Sequence, residues 1–248
     1  MCYATKLTCS VLATLSFAGS RLHADEAGDA ARARQKLAAK LTAVPRELRD
    51  RYADFLKLAD TGIVRLQPRG RYVKEFPNGL GYYSFVRQSH QYGYGVEIGF
   101  DSEWFKTGFA GADYGYFAEL GKGSIESIEP NPDPPGWLDS AARAVWDELW
   151  NYQPPEELAL LRKARREERA RAPVELDVDY LLRAVEPRTS DTLTAFRVAS
   201  ILEDGSVVLV WRILCRWDPP EGTPPDLQRR GFRQMPSAGV TGSPALGH

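Results

Sequence analysis

From residue 45 onward, apolar positions recur first at helical and then at strand spacing. Leu48, Tyr52, Phe55, Leu56 and Ala59 fall three or four apart after Pro45, a residue suited to the first turn of a helix, and Gly62 is placed to end it. The segment before it, residues 27–41, is rich in Ala, Arg, Lys and Gln, which predicts a helix without a wide apolar face. Between residues 63 and 128 the pattern breaks into short runs bounded by Gly, Pro, Asn and Asp. Strands are expected at 71–76, 81–87, 94–101, 104–109 and 116–121, joined by short turns as an antiparallel meander. Val96, Ile98 and Phe100 alternate with Glu97, Gly99 and Asp101, so that strand has one buried and one open face, and the helix after Pro45 is the expected cover.

Residues 129–136, with four prolines in eight positions, can continue neither helix nor sheet and mark an expected boundary between modules at 25–128 and 137–217. Beyond it, Leu138, Ala142, Val145, Trp146, Leu149 and Trp150 share one side of a helix over 137–150. A second helix starts at Pro154-Pro155 and ends in the charged run 162–171. Asp204-Gly205 between two apolar runs predicts a two-residue hairpin pairing Leu202 with Val207, Val198 with Trp211, Phe196 with Ile213 and Thr194 with Cys215. That register sets Arg197 against Arg212. A strand over 174–180, with Glu175, Asp177 and Asp179 on one face, is expected to compensate the arginines. Residues 218–248, rich in Pro, Gly and Ser, read as a disordered tail. The resulting fold class is α+β: N-terminal helices, a Gly- and Tyr-rich antiparallel meander, a proline-rich connector, two helices and a C-terminal antiparallel sheet with the Asp-Gly hairpin.

The N-terminus changes where such a fold would reside. Lys6 precedes an apolar stretch from Leu7 to Gly19 and a short polar segment ending in Ala24, the order of a secretory signal peptide over residues 1–24. The run is shorter than the roughly 20 apolar residues of a membrane-spanning helix. Export, to a periplasm or the medium, is the expected localisation. Cleavage after Ala24 would remove Cys2 and Cys9 and leave Cys215 alone, read as a packing residue. It would also remove Lys6 and Arg21 but no acid, lowering the formal charge from −1 to −3. Such a balance offers no footprint for nucleic acid. With only three histidines in the chain, no transition-metal site and no cofactor are expected.

Candidate chemistry gathers between Leu80 and Gly121, where six of the eleven tyrosines occur with Trp104 and several phenylalanines among glycines. Planar side chains on an open sheet face suit stacking on sugars or other flat ligands. The expected ligand-binding residues are Tyr82, Tyr94, Trp104, Asp113 and Tyr116. The competing reading is that these aromatics fill the core of a thin sheet. No catalytic residue is assigned. The leading expectation is a non-catalytic binding protein whose partner is a small molecule, a glycan or a protein. One alternative is a hydrolase using His90 with the carboxylates Glu97, Asp101 and Asp113, although Ser89 and His90, as neighbours in extended chain, would point opposite ways. Another is a structural or assembly role for an exposed face bearing Trp146 and Trp150.

Overall fold

The computed structural model describes residues 15–76, 79–93, 95–108, 114–151, 170–186 and 189–219, with backbone alone for 15–27 and 114. Among these residues there is more strand than helix, and the strands form two antiparallel sheets. The larger sheet has the order β1 (Thr61–Leu66), β9 (Val207–Trp217), β8 (Ser190–Ile201), β7 (Asp179–Glu186) and β5 (Tyr114–Gly121). The smaller has the order β2 (Tyr82–Tyr83), β3 (Ile98–Phe100), β4 (Trp104–Lys106) and β6 (Arg171–Pro173). Residues on both sides of 129–136 therefore build each sheet. The helices are α1 (Leu15–Thr42), α2 (Arg46–Arg51) and α3 (Ser140–Trp150). The helix expected from Pro154 and the residues from 220 onward lie outside the described residues.

The two sheets pack face to face. Tyr83, Phe85, Ile98, Phe100 and Phe105 of the small-sheet segment interleave with Tyr180, Leu182, Phe196, Val198, Leu209 and Trp211 of the large sheet in one buried cluster. Phe105 meets Phe196 edge-on at 5.3 Å, and Phe85 meets Trp211 edge-on at 5.4 Å, geometries that align the positive ring edge with the negative face. The far side of the large sheet is covered by α3, whose Ala142, Trp146 and Leu149 rest on Leu181, Leu193, Ala195 and Leu214. Asp139 caps α3, its carboxylate accepting the Ala142 N–H at 2.8 Å. Tyr52 and Phe55 complete that layer on Ala199 and Val210.

Local geometry departs from the sequence pattern in four places. Residues 71–76 form turns, not a strand. The helix after Pro45 is cut to α2 and a separate 3-10 turn, Phe55–Lys57, because Asp60, at φ 56°, turns the chain into β1 before Gly62 is reached. Its apolar stripe rests on the C-terminal hairpin, not on the meander. Gly62 instead lies opposite Trp211, where an added Cβ would stand 2.3 Å from the indole. The β8–β9 hairpin has a three-residue loop: Leu202 accepts from Gly205 and donates to Ser206, both at 2.8 Å, and only the glycine takes positive φ. That loop and a register shift between Val198 and Ser200 pair Ile201 with Val207 and Phe196 with Trp211, and separate the arginines, Arg197 facing Val210 and Arg212 facing Ala195; a second shift follows between Leu193 and Thr194. Cys215 consequently sits opposite Leu193, on the α3 side.

Acid does meet arginine on the α3 side, in two buried pairs. Asp179, at the start of β7, is opposite Arg197, which donates to both its carboxylate oxygens at 2.7 Å and to Gly123 O. Glu175 and Asp177 precede β7 and are not part of the strand. In the second pair Arg183 donates to Asp191 at 2.6 and 2.9 Å and to Leu149 O, at the end of α3, at 3.1 Å; Trp217 lies under its guanidinium, 3.3 Å from the ring centroid. Both side chains are 1% exposed. Removing one partner of such a pair strands a charge in the interior. Asp191→Ala should therefore lower the urea-unfolding free energy by about 3–5 kcal/mol, whereas Arg183→Met with Asp191→Leu should recover most of that loss.

Candidate functional site

Strict alternation divides the residues of the small sheet. Tyr83, Ile98, Phe100 and Phe105 point into the sandwich, so Tyr82, Gly99, Trp104, Lys106 and Arg171 belong to its outward face. Registers align Tyr82 with Gly99, Gly99 with Lys106 and Lys106 with Arg171, one row across four strands; Trp104 stands two residues from Lys106, opposite Pro173.

Two aromatic–cation groups occupy this face. At one end Tyr82 is 8% exposed, because Tyr92 lies at 4.5 Å between ring centroids and the Arg69 guanidinium at 4.8 Å from its ring. Burial raises the Tyr82 phenol above its ordinary pKa, partly offset by Arg69. The Arg69 segment lies close, since a Cβ on Gly81 would stand 2.5 Å from Gln67 O. At the other end Trp104 is half-buried, with the Arg171 guanidinium 5.0 Å from its ring. Lys106 makes an ion pair with Asp101. Counting two strand spacings and two residues along β4, Tyr82 and Trp104 are about 12 Å apart.

Of the five residues expected to bind ligand, Tyr82 and Trp104 share this face. Tyr116 is 5% exposed and belongs to the layer between the large sheet and α3. Tyr94 and Asp113 lie outside the described residues. Arg69, Tyr92, Lys106 and Arg171 did not emerge from the sequence as site residues; for Lys106 and Arg171 the signal was parity with Trp104, visible only once β4 and β6 are known to be neighbours. Most remaining aromatics, Tyr83, Phe85, Phe100, Phe105 and Phe117 among them, fill the core.

The residues of the hydrolase alternative hold a turn. Ser84 and Ser89 form an isolated bridge around residues 85–88, and Glu97, 1% exposed, accepts the Phe85 N–H at 2.8 Å. The Ser89 hydroxyl accepts the Gln91 N–H at 3.0 Å. His90 packs against Tyr83 at 5.2 Å, its Nδ1 buried without a partner among the described residues, and burial lowers its pKa. Burial drives the Glu97 carboxyl up to about 7, against hydrogen bonds from Ser84 and Phe85 that favour the charged form. The Trp146–Trp150 face is also internal. The two indoles stack at 5.9 Å and 12°; Trp146 is fully buried, and the partly buried Trp150 abuts Trp217.

No protein-family model matches the chain, and no curated protein or solved structure matches it either.

Glu97 gives a pH signature. Its folded-state pKa is raised, so its contribution to stability is fully present below the ordinary carboxylate value of 4.5 and is lost as pH rises through about 7. The loss amounts to roughly 3 kcal/mol. Glu97→Gln keeps an acceptor for Phe85 N–H, so the variant should match or exceed wild-type stability at pH 8 and fall below it at pH 4.5. Taking the difference between the two chains at each pH cancels the opposing titration of His90. A flat difference from pH 4.5 to 8 would contradict the assignment.

Proposed function

We propose that this chain is an exported, non-catalytic binding protein that engages an extended ligand through the outward face of its four-stranded sheet. The observation that carries the reading is the half-exposed Trp104, set on the same face as the Tyr82–Tyr92–Arg69 stack, with Lys106 and Arg171 beside it. The opposite face of that sheet is committed to the core, and the larger sheet is covered on both sides. A separation of about 12 Å between Tyr82 and Trp104 suits a chain-like occupant such as an oligosaccharide better than a single ring. Gly99, itself buried, lies between the two aromatic groups, and an indole ring such as that of Trp104 stacks on flat ligand faces. The engagement of Glu97 with the Phe85 N–H and of Asp101 with Lys106 favours binding over hydrolysis.

Export rests on the order of charge and apolarity in residues 1–24; among the described residues Cys215 is a free, partly buried thiol whose pKa burial raises. No described helix is long and apolar enough to cross a membrane.

Two measurements test these proposals. Mass spectrometry of the exported protein should give a mature N-terminus at Asp25; an intact Met1–Ala24 segment on the exported chain would refute processing there. Trp104→Ala and Tyr92→Ala should fold normally by circular dichroism, yet each weaken binding to a glycan selected by array screening about tenfold, as the loss of one to two kcal/mol of ring contact implies. Unchanged glycan profiles for both folded variants would refute the stacking face.

A further inference from the structure

The face carries a charge feature that stacking does not explain. Lys106 and Arg171 stand directly opposite each other across β4 and β6. Like charges so placed, with Cβ atoms about 5 Å apart, repel unless something lies between them. Asp101 answers Lys106. Arg171 is exposed, and among the described residues its interaction is the Trp104 ring at 5.0 Å, with no carboxylate paired to it. A third cation, the Arg69 guanidinium, sits at the other end of the face on Tyr82. On a chain whose charges nearly balance, two cations thus stand side by side next to the open Trp104 ring.

Resting on the binding reading above, we infer that the ligand is an anionic polysaccharide, a polymer of sugar rings bearing carboxylate or sulfate groups. One ring stacks on Trp104 while its acidic group enters the space between Lys106 and Arg171, about 7 Å along β4 from the indole, two residues of strand. Arginine suits this place because its planar fork donates two parallel hydrogen bonds to a carboxylate or sulfate while its face stays on the indole. The incoming anion relieves the opposed cations, which gives the acidic polymer an advantage over a neutral one of the same rings.

The test uses the full chain with two defined probes, polygalacturonate and the neutral polymer dextran, by isothermal titration calorimetry at 50 and 300 mM salt. Wild type should bind polygalacturonate at least tenfold more tightly than dextran, with affinity falling as salt rises. Arg171→Ala and Lys106→Ala, both surface truncations, should each lose about tenfold or more on polygalacturonate, and Trp104→Phe should retain more affinity than Trp104→Ala. Equal binding of both polymers, unaltered by Arg171→Ala, overturns the anionic assignment while leaving the stacking face intact. Affinity that falls with Arg171→Ala but is indifferent to Trp104→Ala means diffuse attraction and overturns the combined site. Binding of neither polymer, with the folded chain instead held by a protein partner, overturns both readings.

Discussion

Two arginine–aspartate pairs buried between the large sheet and its helices set the terms for the rest of the molecule. A guanidinium in such a place is tolerable only if its donors are filled, and Arg183 fills them with both oxygens of Asp191 and the last turn of α3. The same bonds satisfy a carbonyl at a helix end, where backbone acceptors otherwise lack partners. Arg197 does the equivalent work for the backbone at Gly123. Polar chemistry thereby fixes how the connecting segments cross the sheet, while the opposite side is left to rings and aliphatic chains. With both faces of the large sheet occupied, the accessible strand surface among the described residues includes the Trp104, Lys106 and Arg171 end of the small sheet's outward face.

Long elements were legible in the sequence because their patterns are long. The α3 stripe, the apolar runs of β8 and β9 and the presence of a turn at Asp204-Gly205 all follow from spacing. The register did not, since Asp-Gly suits both a two-residue loop and a three-residue loop with glycine alone at positive φ, and the one-residue difference moves every pair. Nor was Gly62 legible. A glycine after a helical stripe reads as a stop, while its actual service is to make room for an indole about 150 residues later in the chain.

The candidate face was half legible for a related reason. Strands of two or three residues are too short to display alternation, so aromatics destined for the core and those destined for the surface look alike in sequence. Tyr82 and Tyr83 are adjacent, both buried and on opposite sides of the sheet. The cations that complete the face come from β4 and β6, separated by the connector and α3, and no local window brings Lys106 beside Arg171.

The pairing of β1 with β9 has a kinetic meaning. β1 ends at residue 66 and its strand partner begins at residue 207, so the large sheet closes only when nearly the whole described chain is at hand. Closing a loop of that length must precede the contacts that reward it, which makes for slow folding. During synthesis the leading half spends its time without its partner, open to chaperones and to any machinery that threads unfolded polypeptide. Late closure of the large sheet is thus written into strand order.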